Sequence, residues 1–196
     1  MPGSSLWLLP PASHPLNNLL TTLIDKTSFH FTSPHRFLPH VTLTSEIYPS
    51  AYGSDPQEWL DSLNIEFGTE IAVEFKKLNS EDVFVRKLYI KCKKDDLRLL
   101  ALRCRQQVKG FEQAEKAEEW VNELYTPHLS LLYHDCPRID TEGLSQAGEF
   151  AQDLGISVNG QGKLGSWKGG RVVLVQTDKP IHEWKPIAER SLGGAA

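Results

Sequence analysis

The sequence predicts an α+β fold of two similar halves built on antiparallel sheet. Three observations carry this. Strand-like and helix-like segments alternate along the 196 residues. The runs EIAVEFKKL and VFVRKLYIKCKK are separated only by NSED, too short for the helical crossover that parallel strands need. Finally, PHVTL at 39–43 returns as PHLSL at 127–131.

The elements follow in order. SLWLLP at 5–10 reads as a strand stopped by Pro10 and Pro11, and LNNLLTTLIDKT at 16–27 has helical apolar spacing. HVTLTSEI at 40–47 is β-branched and alternating, so it reads as a strand. DPQEWLDSLN at 55–64 then starts a helix, with Asp55 as N-cap and Pro56 at the first helical position. The run from Val83 reads as one half-exposed strand, with Lys87, Lys91 and Lys93 on a shared face. DDLRLLALRCRQQV is a helix whose Leu97, Leu100, Ala101, Cys104 and Val108 line one side, and a helical or mobile excursion follows the interruption at Gly110. TPHLSLLYHD supplies the second motif strand, and TEGLSQAGEFAQDLG at 141–155 a helix. Two further strands flank the glycine-rich SWKGG, which reads as a hairpin. The terminal KPIHEWKPIAERSLGGAA, broken by two prolines, reads as irregular and fraying.

Composition narrows the function. With 40% hydrophobic residues the chain can bury a core as a single domain spanning 1–196. Its 21 basic against 25 acidic residues create no field that gathers long polyanions, so a small nucleotide partner is expected and no long nucleic acid. Three cysteines without metal-ligand spacing give neither a disulfide framework nor a zinc site, and free thiols suit a reducing compartment. The N-terminus lacks a basic start, and no segment approaches the roughly 18 apolar residues of a membrane span. A soluble, intracellular, cytoplasmic protein with no membrane partner is expected. Nothing implies an oligomer. Without a GxGxxG after a strand or a Walker sequence, dinucleotide and P-loop chemistry drop out.

The repeated pentapeptide carries the chemistry. Residues two apart on a strand face the same side, so His40 projects with Thr42 and His128 with Ser130. If the two strands lie side by side, two imidazoles and two hydroxyls converge on one cavity. One neutral imidazole can take a proton from water while the other, as imidazolium, protonates a leaving alkoxide; both work near neutral pH. The hydroxyls can donate to the non-bridging oxygens of a five-coordinate phosphorus. Neither a metal nor a cofactor is required. The favoured roles are His128 as base and His40 as acid, which the sequence does not settle.

The tetrapeptides His40-Val-Thr42-Leu and His128-Leu-Ser130-Leu resemble the hallmark pair of the two-histidine phosphoesterases. SLWLLP, PHVTLTS and PHLSLLY look more narrowly like the fungal and plant cyclic nucleotide phosphodiesterase branch. The resemblance implies a two-lobed, pseudo-two-fold arrangement, with antiparallel sheets lining a central cleft and helices outside. It further implies hydrolysis of 2′,3′-cyclic nucleotides to nucleoside 2′-phosphates, and of ADP-ribose 1″,2″-cyclic phosphate, a by-product of tRNA splicing, to ADP-ribose 1″-phosphate. It carries Tyr133 as a substrate contact, although an odd offset from Ser130 turns that side chain to the opposite face of a regular strand, so that a bulge or strand end is needed.

Trp7 and Trp167 are candidates to stack on a base, against the alternative of core packing. Arg36, Arg86, Lys168 and Arg171 are candidate phosphate contacts, and none stands out. His134, beside Asp135, is a candidate to orient a group near the second motif. Two other readings remain open: a non-catalytic nucleotide-binding module, and a phosphodiesterase that processes RNA ends along an electropositive groove.

Overall fold

The computed structural model describes residues 3–65 and 71–192. Its strands are β1 (Ser4–Leu9), β2 (Val41–Ile47), β3 (Ala72–Asn79), β4 (Leu88–Cys92), β5 (His128–Leu132), β6 (Ser166–Lys168), β7 (Gly170–Gln176) and β8 (Pro186–Leu192). Its helices are α1 (Leu16–His30), α2 (Pro49–Tyr52), α3 (Pro56–Ser62), α4 (Asp95–Arg105), α5 (Ala114–Glu123) and α6 (Thr141–Asp153). None of these helices is long and apolar enough to cross a membrane.

The strands form one sheet in the order β6-β3-β4-β5-β2-β1-β7-β8, with every registered pair antiparallel. Four strands belong to each lobe. The lobes meet where β5 lies against β2 through the pair Val41↔Leu129, so the two halves of the repeat are neighbours across the pseudo-two-fold. The helices respect the same symmetry and exchange sides. α1, which follows β1, packs on β5, while α4, which follows β4, packs on β2.

Local chemistry explains the main elements. Leu16, Leu20, Leu23, Ile24 and Thr27 form the buried stripe of α1, and the Thr27 hydroxyl donates to the Leu131 carbonyl, fixing the helix to β5. Asp55 caps α3 by accepting from the Glu58 amide, with Pro56 at the first helical position. Asp140 caps α6 in the same manner, through the Gly143 amide. The row Leu78, Ile90, Leu129, Val41 and Leu8, linked strand to strand by register, is apolar and supplies the core face. The side chains on either side of it in each strand face the opposite way.

Three local expectations change. SWKGG is not a hairpin: SWK is itself β6 and pairs with β3, whereas GRVVLVQ pairs with β1 and β8. Only Gly169 separates β6 at one edge of the sheet from β7, which lies next to the other edge, so the sheet must curl back on itself. Gly170 permits this at φ 135°, where a Cβ would stand 2.5 Å from the Leu9 carbonyl oxygen. The strand expected from Val83 begins only at Leu88, because Phe84–Arg86 is a 3-10 turn closed by the Arg86 amide on the Val83 carbonyl. Lys87 consequently leaves the exposed row and is buried, with its ammonium 2.7 Å from Asp82. The proline-broken tail contains β8, an edge strand in which Pro186 stands first, where no ladder donor is missed. The final four residues, 193–196, and Glu70 at the start of the expected third strand lie outside the described residues.

Candidate active site

The pair Val41↔Leu129 fixes the geometry of the motifs. Stepping one residue each way along antiparallel strands sets His40 opposite Ser130 and Thr42 opposite His128. Directly opposed residues share a face. All four side chains therefore project from the same side, opposite to the core row through Val41 and Leu129.

The two imidazoles are held alike. The His40 Nδ1 lies 2.6 Å from the Leu38 carbonyl oxygen and the His128 Nδ1 lies 2.8 Å from that of Thr126, in each case two residues back along the chain. A carbonyl only accepts, so each Nδ1 carries the proton and each Nε2 of the neutral ring keeps its lone pair. The environments differ. His40 is buried and stacks flat on Trp7 at 3.7 Å, with Phe37 at its edge. Burial pushes its pKa down to about 3; the Leu38 carbonyl opposes this, and the charge of a protonated His128 adds to it. His128 is half-buried, with Tyr89 edge-on at 5.3 Å. Its pKa is also lowered, first by burial and then by the Arg86 charge, against the Thr126 carbonyl and the Glu81 carboxylate.

The hydroxyls differ as well. Ser130 donates to the Val85 carbonyl at 2.8 Å, whereas the Thr42 hydroxyl has no protein partner among the described residues. Tyr133 reaches this group despite its odd offset, because β5 ends at Leu132 and alternation no longer governs it. Its ring stacks on Phe37 at 3.9 Å, and its phenol is hydrogen bonded to Ser130. Burial pushes that phenol's pKa up.

A cleft of about 250 Å³ opens beside His128 and Thr42, walled by Arg86, Arg105, Trp120 and Leu124. Trp120 and Leu124 are shared with an adjoining cavity of about 390 Å³ that reaches Phe111. The Arg105 guanidinium lies 3.8 Å from the Phe111 ring centroid and 4.5 Å from that of Trp120, and it is paired with Glu46 at 3.1 Å. Among the described residues no three His, Cys, Asp or Glu side chains are grouped to hold a metal ion.

Of the tryptophans expected to meet a base, Trp7 stands beside Thr42 by register but is 2% exposed, its ring taken up by His40 and Trp184. Trp167 is buried on β6 against Phe75 and is not brought to the cleft. Arg36 and Arg171 are paired with Asp25 and Glu189, and Lys168 is exposed on β6; among these four basic candidates Arg86 alone lines the cleft. His134 accepts from the Cys136 amide through Nδ1. Trp120, Arg105, Tyr89 and Lys91 were not singled out by their sequence. Tyr89 and Lys91 alternate on β4, but only the pairing of β4 with β5 reveals that they flank the second motif.

Fold and site together define the class, a two-lobed two-histidine phosphoesterase. A family model described as "Cyclic phosphodiesterase-like protein" matches residues 1–192, and the chain belongs to that family. It is 62% identical over 193 residues to a Phaeosphaeria nodorum protein named 2',3'-cyclic-nucleotide 3'-phosphodiesterase, covering 98% of this chain and 100% of that one. A Neurospora crassa protein of the same name is 37% identical over 216 residues, covering 98% and 100%. A solved structure titled as a phosphoesterase shares the fold at 13% identity, with a TM-score of 0.50 over 98% of this chain and 99% of that one.

Proposed function

We propose that this protein is a metal-independent cyclic nucleotide phosphodiesterase that converts 2′,3′-cyclic nucleotides to nucleoside 2′-phosphates and ADP-ribose 1″,2″-cyclic phosphate to ADP-ribose 1″-phosphate. The observation that carries this reading is the pair of imidazoles held in the same tautomer, on adjacent strands, with their Nε2 lone pairs free of the backbone. The names of the curated relatives support the cyclic nucleotide as substrate.

In this mechanism the His40 Nε2 takes a proton from water, the oxygen attacks phosphorus in line, and the bond to O3′ breaks as the His128 imidazolium gives O3′ its proton. The product is a 2′-monoester with a free 3′-hydroxyl. This reverses the roles favoured by the sequence. The more deeply buried His40 is unprotonated near neutral pH, the state from which a base must start, while half-exposed His128, near Glu81, accommodates the proton better. Thr42 donates to a non-bridging oxygen. Ser130 and Tyr133 support the site together, the Ser130 hydroxyl donating to the Val85 carbonyl with the Tyr133 phenol beside it. Trp120, half-exposed in the wall, offers a face to the base.

The test is phosphorus NMR of chelator-treated protein with each cyclic phosphate. Conversion to a single monoester, the 2′-phosphate from 2′,3′-cyclic AMP, is expected. Saturable binding without product would replace the enzyme with a nucleotide-binding module.

A further inference from the structure

The register that aligns the two motifs also extends outward from them. Lys77 on β3 is paired with Lys91 on β4, and Lys91 with His128 on β5. Opposed residues in an antiparallel ladder share a face about 5 Å apart. The Lys91 stem therefore rises one strand from the His128 imidazole, on the same side of the sheet.

A pocket of about 150 Å³ lies over this position, lined by Lys91, Arg86, Tyr89, Glu81 and His128 among others. Its single carboxylate is already engaged, by the Arg86 guanidinium at 2.8 Å and by the Tyr89 hydroxyl. Lys91 has no anionic partner among the described residues, and the buried Arg86 Nε has no acceptor. An ammonium without an anionic partner, beside a guanidinium that lines the same small cavity, suits an anion rather than a base or a sugar face.

We infer that Lys91 and Arg86 hold a second phosphate of the substrate, carried on the ribose carbon outside the cyclic ester, and that the protein thereby selects nucleotides with a 5′-phosphate over bare nucleoside cyclic phosphates. The inference rests on reading the cleft as a cyclic phosphodiesterase site. In a 2′,3′-cyclic nucleotide that carbon is C5′. In ADP-ribose 1″,2″-cyclic phosphate it is C5″, which bears the pyrophosphate.

The occupant is small, because the pocket holds only about 150 Å³. Further along, Lys93 is ion-paired with Glu74 and Lys94 is bonded to the Asn122 carbonyl, and the next cavity is lined by Lys76, Lys91, Lys93 and Lys94 together with Asp95 and Glu123.

The experiment compares kcat/KM for 2′,3′-cyclic AMP and for its 5′-phosphorylated counterpart, within the wild type, Lys91→Gln and Lys163→Gln. The last removes the same charge from an exposed loop position before β6. A charged hydrogen bond to phosphate corresponds to about a tenfold preference for the 5′-phosphorylated substrate, entering mainly through KM. That preference is expected in the wild type and in Lys163→Gln, and it should fall toward one in Lys91→Gln. ADP-ribose 1″,2″-cyclic phosphate should lose its advantage in the same variant. No preference in the wild type, or one undiminished in Lys91→Gln, overturns the inference. So does faster turnover of an oligoribonucleotide bearing the same cyclic end. Failure to turn over any cyclic phosphate would instead remove the enzymatic reading itself, so the two failures are distinguishable.

Discussion

The burial of His40 makes the protein's stability depend on acid in a way that a single substitution isolates. In the unfolded chain this imidazole titrates near its ordinary 6.5, whereas in the fold its pKa is pushed down to about 3. Between those values the unfolded state binds a proton that the folded state refuses, so stability falls as the pH drops. Each pH unit in the window contributes about 1.36 kcal/mol, and between about pH 7 and about pH 4.5 the loss from this one group comes to ~2.5 kcal/mol. His40→Gln removes the titration and keeps a polar side chain of similar reach. Urea unfolding of both proteins, followed by tryptophan fluorescence, gives the stability at each pH. Carboxylates and His128 contribute to both proteins, so the difference between the two pH-induced losses isolates His40. The expected result is that His40→Gln, whatever its stability at neutral pH, loses ~2.5 kcal/mol less on acidification. Equal losses in the two proteins would refute the claim that His40 is held neutral by burial against Trp7.

Three further outcomes follow from the same geometry. With His40 as base and His128 as acid, both pKa values lowered, kcat/KM for 2′,3′-cyclic AMP should peak below the ordinary histidine value of 6.5 and decline toward alkaline pH as His128 loses its proton; a maximum well above neutrality would contradict the assignment of the acid. Thr42→Val should cost about a hundredfold in kcat, on the order of 3 kcal/mol, and Ser130→Ala less, because the Ser130 proton is committed to Val85 and that of Thr42 is free; the opposite ranking in steady-state kinetics would reverse these roles. Gly160→Ala should lower the melting temperature more than Gly162→Ala. Both positions have left-handed φ, at 81° and 73°, but only at Gly160 would a Cβ strike backbone, 2.3 Å from the Phe75 carbonyl oxygen. Roughly 1 to 2 kcal/mol of backbone strain is common to both, and equal melting temperatures would show that the contact is relieved by movement of the loop.

What could be read in the chain, and what could not, divides along the range of the interactions. That His40 and Thr42 share a face, and His128 and Ser130 another, follows from the period of a strand and needs no partner. That the two faces are one face depends on β2 lying against β5, a contact between residues 88 apart (128 − 40) whose register no local signal encodes. The same distinction explains the differences elsewhere. SWKGG has the glycines of a tight hairpin, and what prevents it is the pairing of Trp167 with Val73, far away in sequence. FVR before β4 has strand-like composition, yet the Arg86 amide closes onto Val83, and the resulting turn directs Arg86 toward the cleft and buries Lys87. Pro186 looks like a break until β8 is known to be an edge strand.

Tyr133 shows the limit most directly. Strand alternation, taken as unbroken, turns it away from Ser130, while the resemblance places it at the substrate. In the structure β5 ends at Leu132, so alternation no longer governs Tyr133, and the aromatic stack on Phe37 holds the buried phenol beside Ser130. Phe37 in turn packs at the edge of His40, and His40 lies on Trp7. One continuous series of rings thus supports both halves of the repeat, which gives the aromatic residues near the site a positioning role. Trp7→Phe should therefore raise the pKa of His40 toward its ordinary value by loosening the burial that lowers it, and shift the acidic limb of the rate profile upward with it. An unchanged acidic limb would mean that the backbone and Phe37 keep His40 buried without the indole.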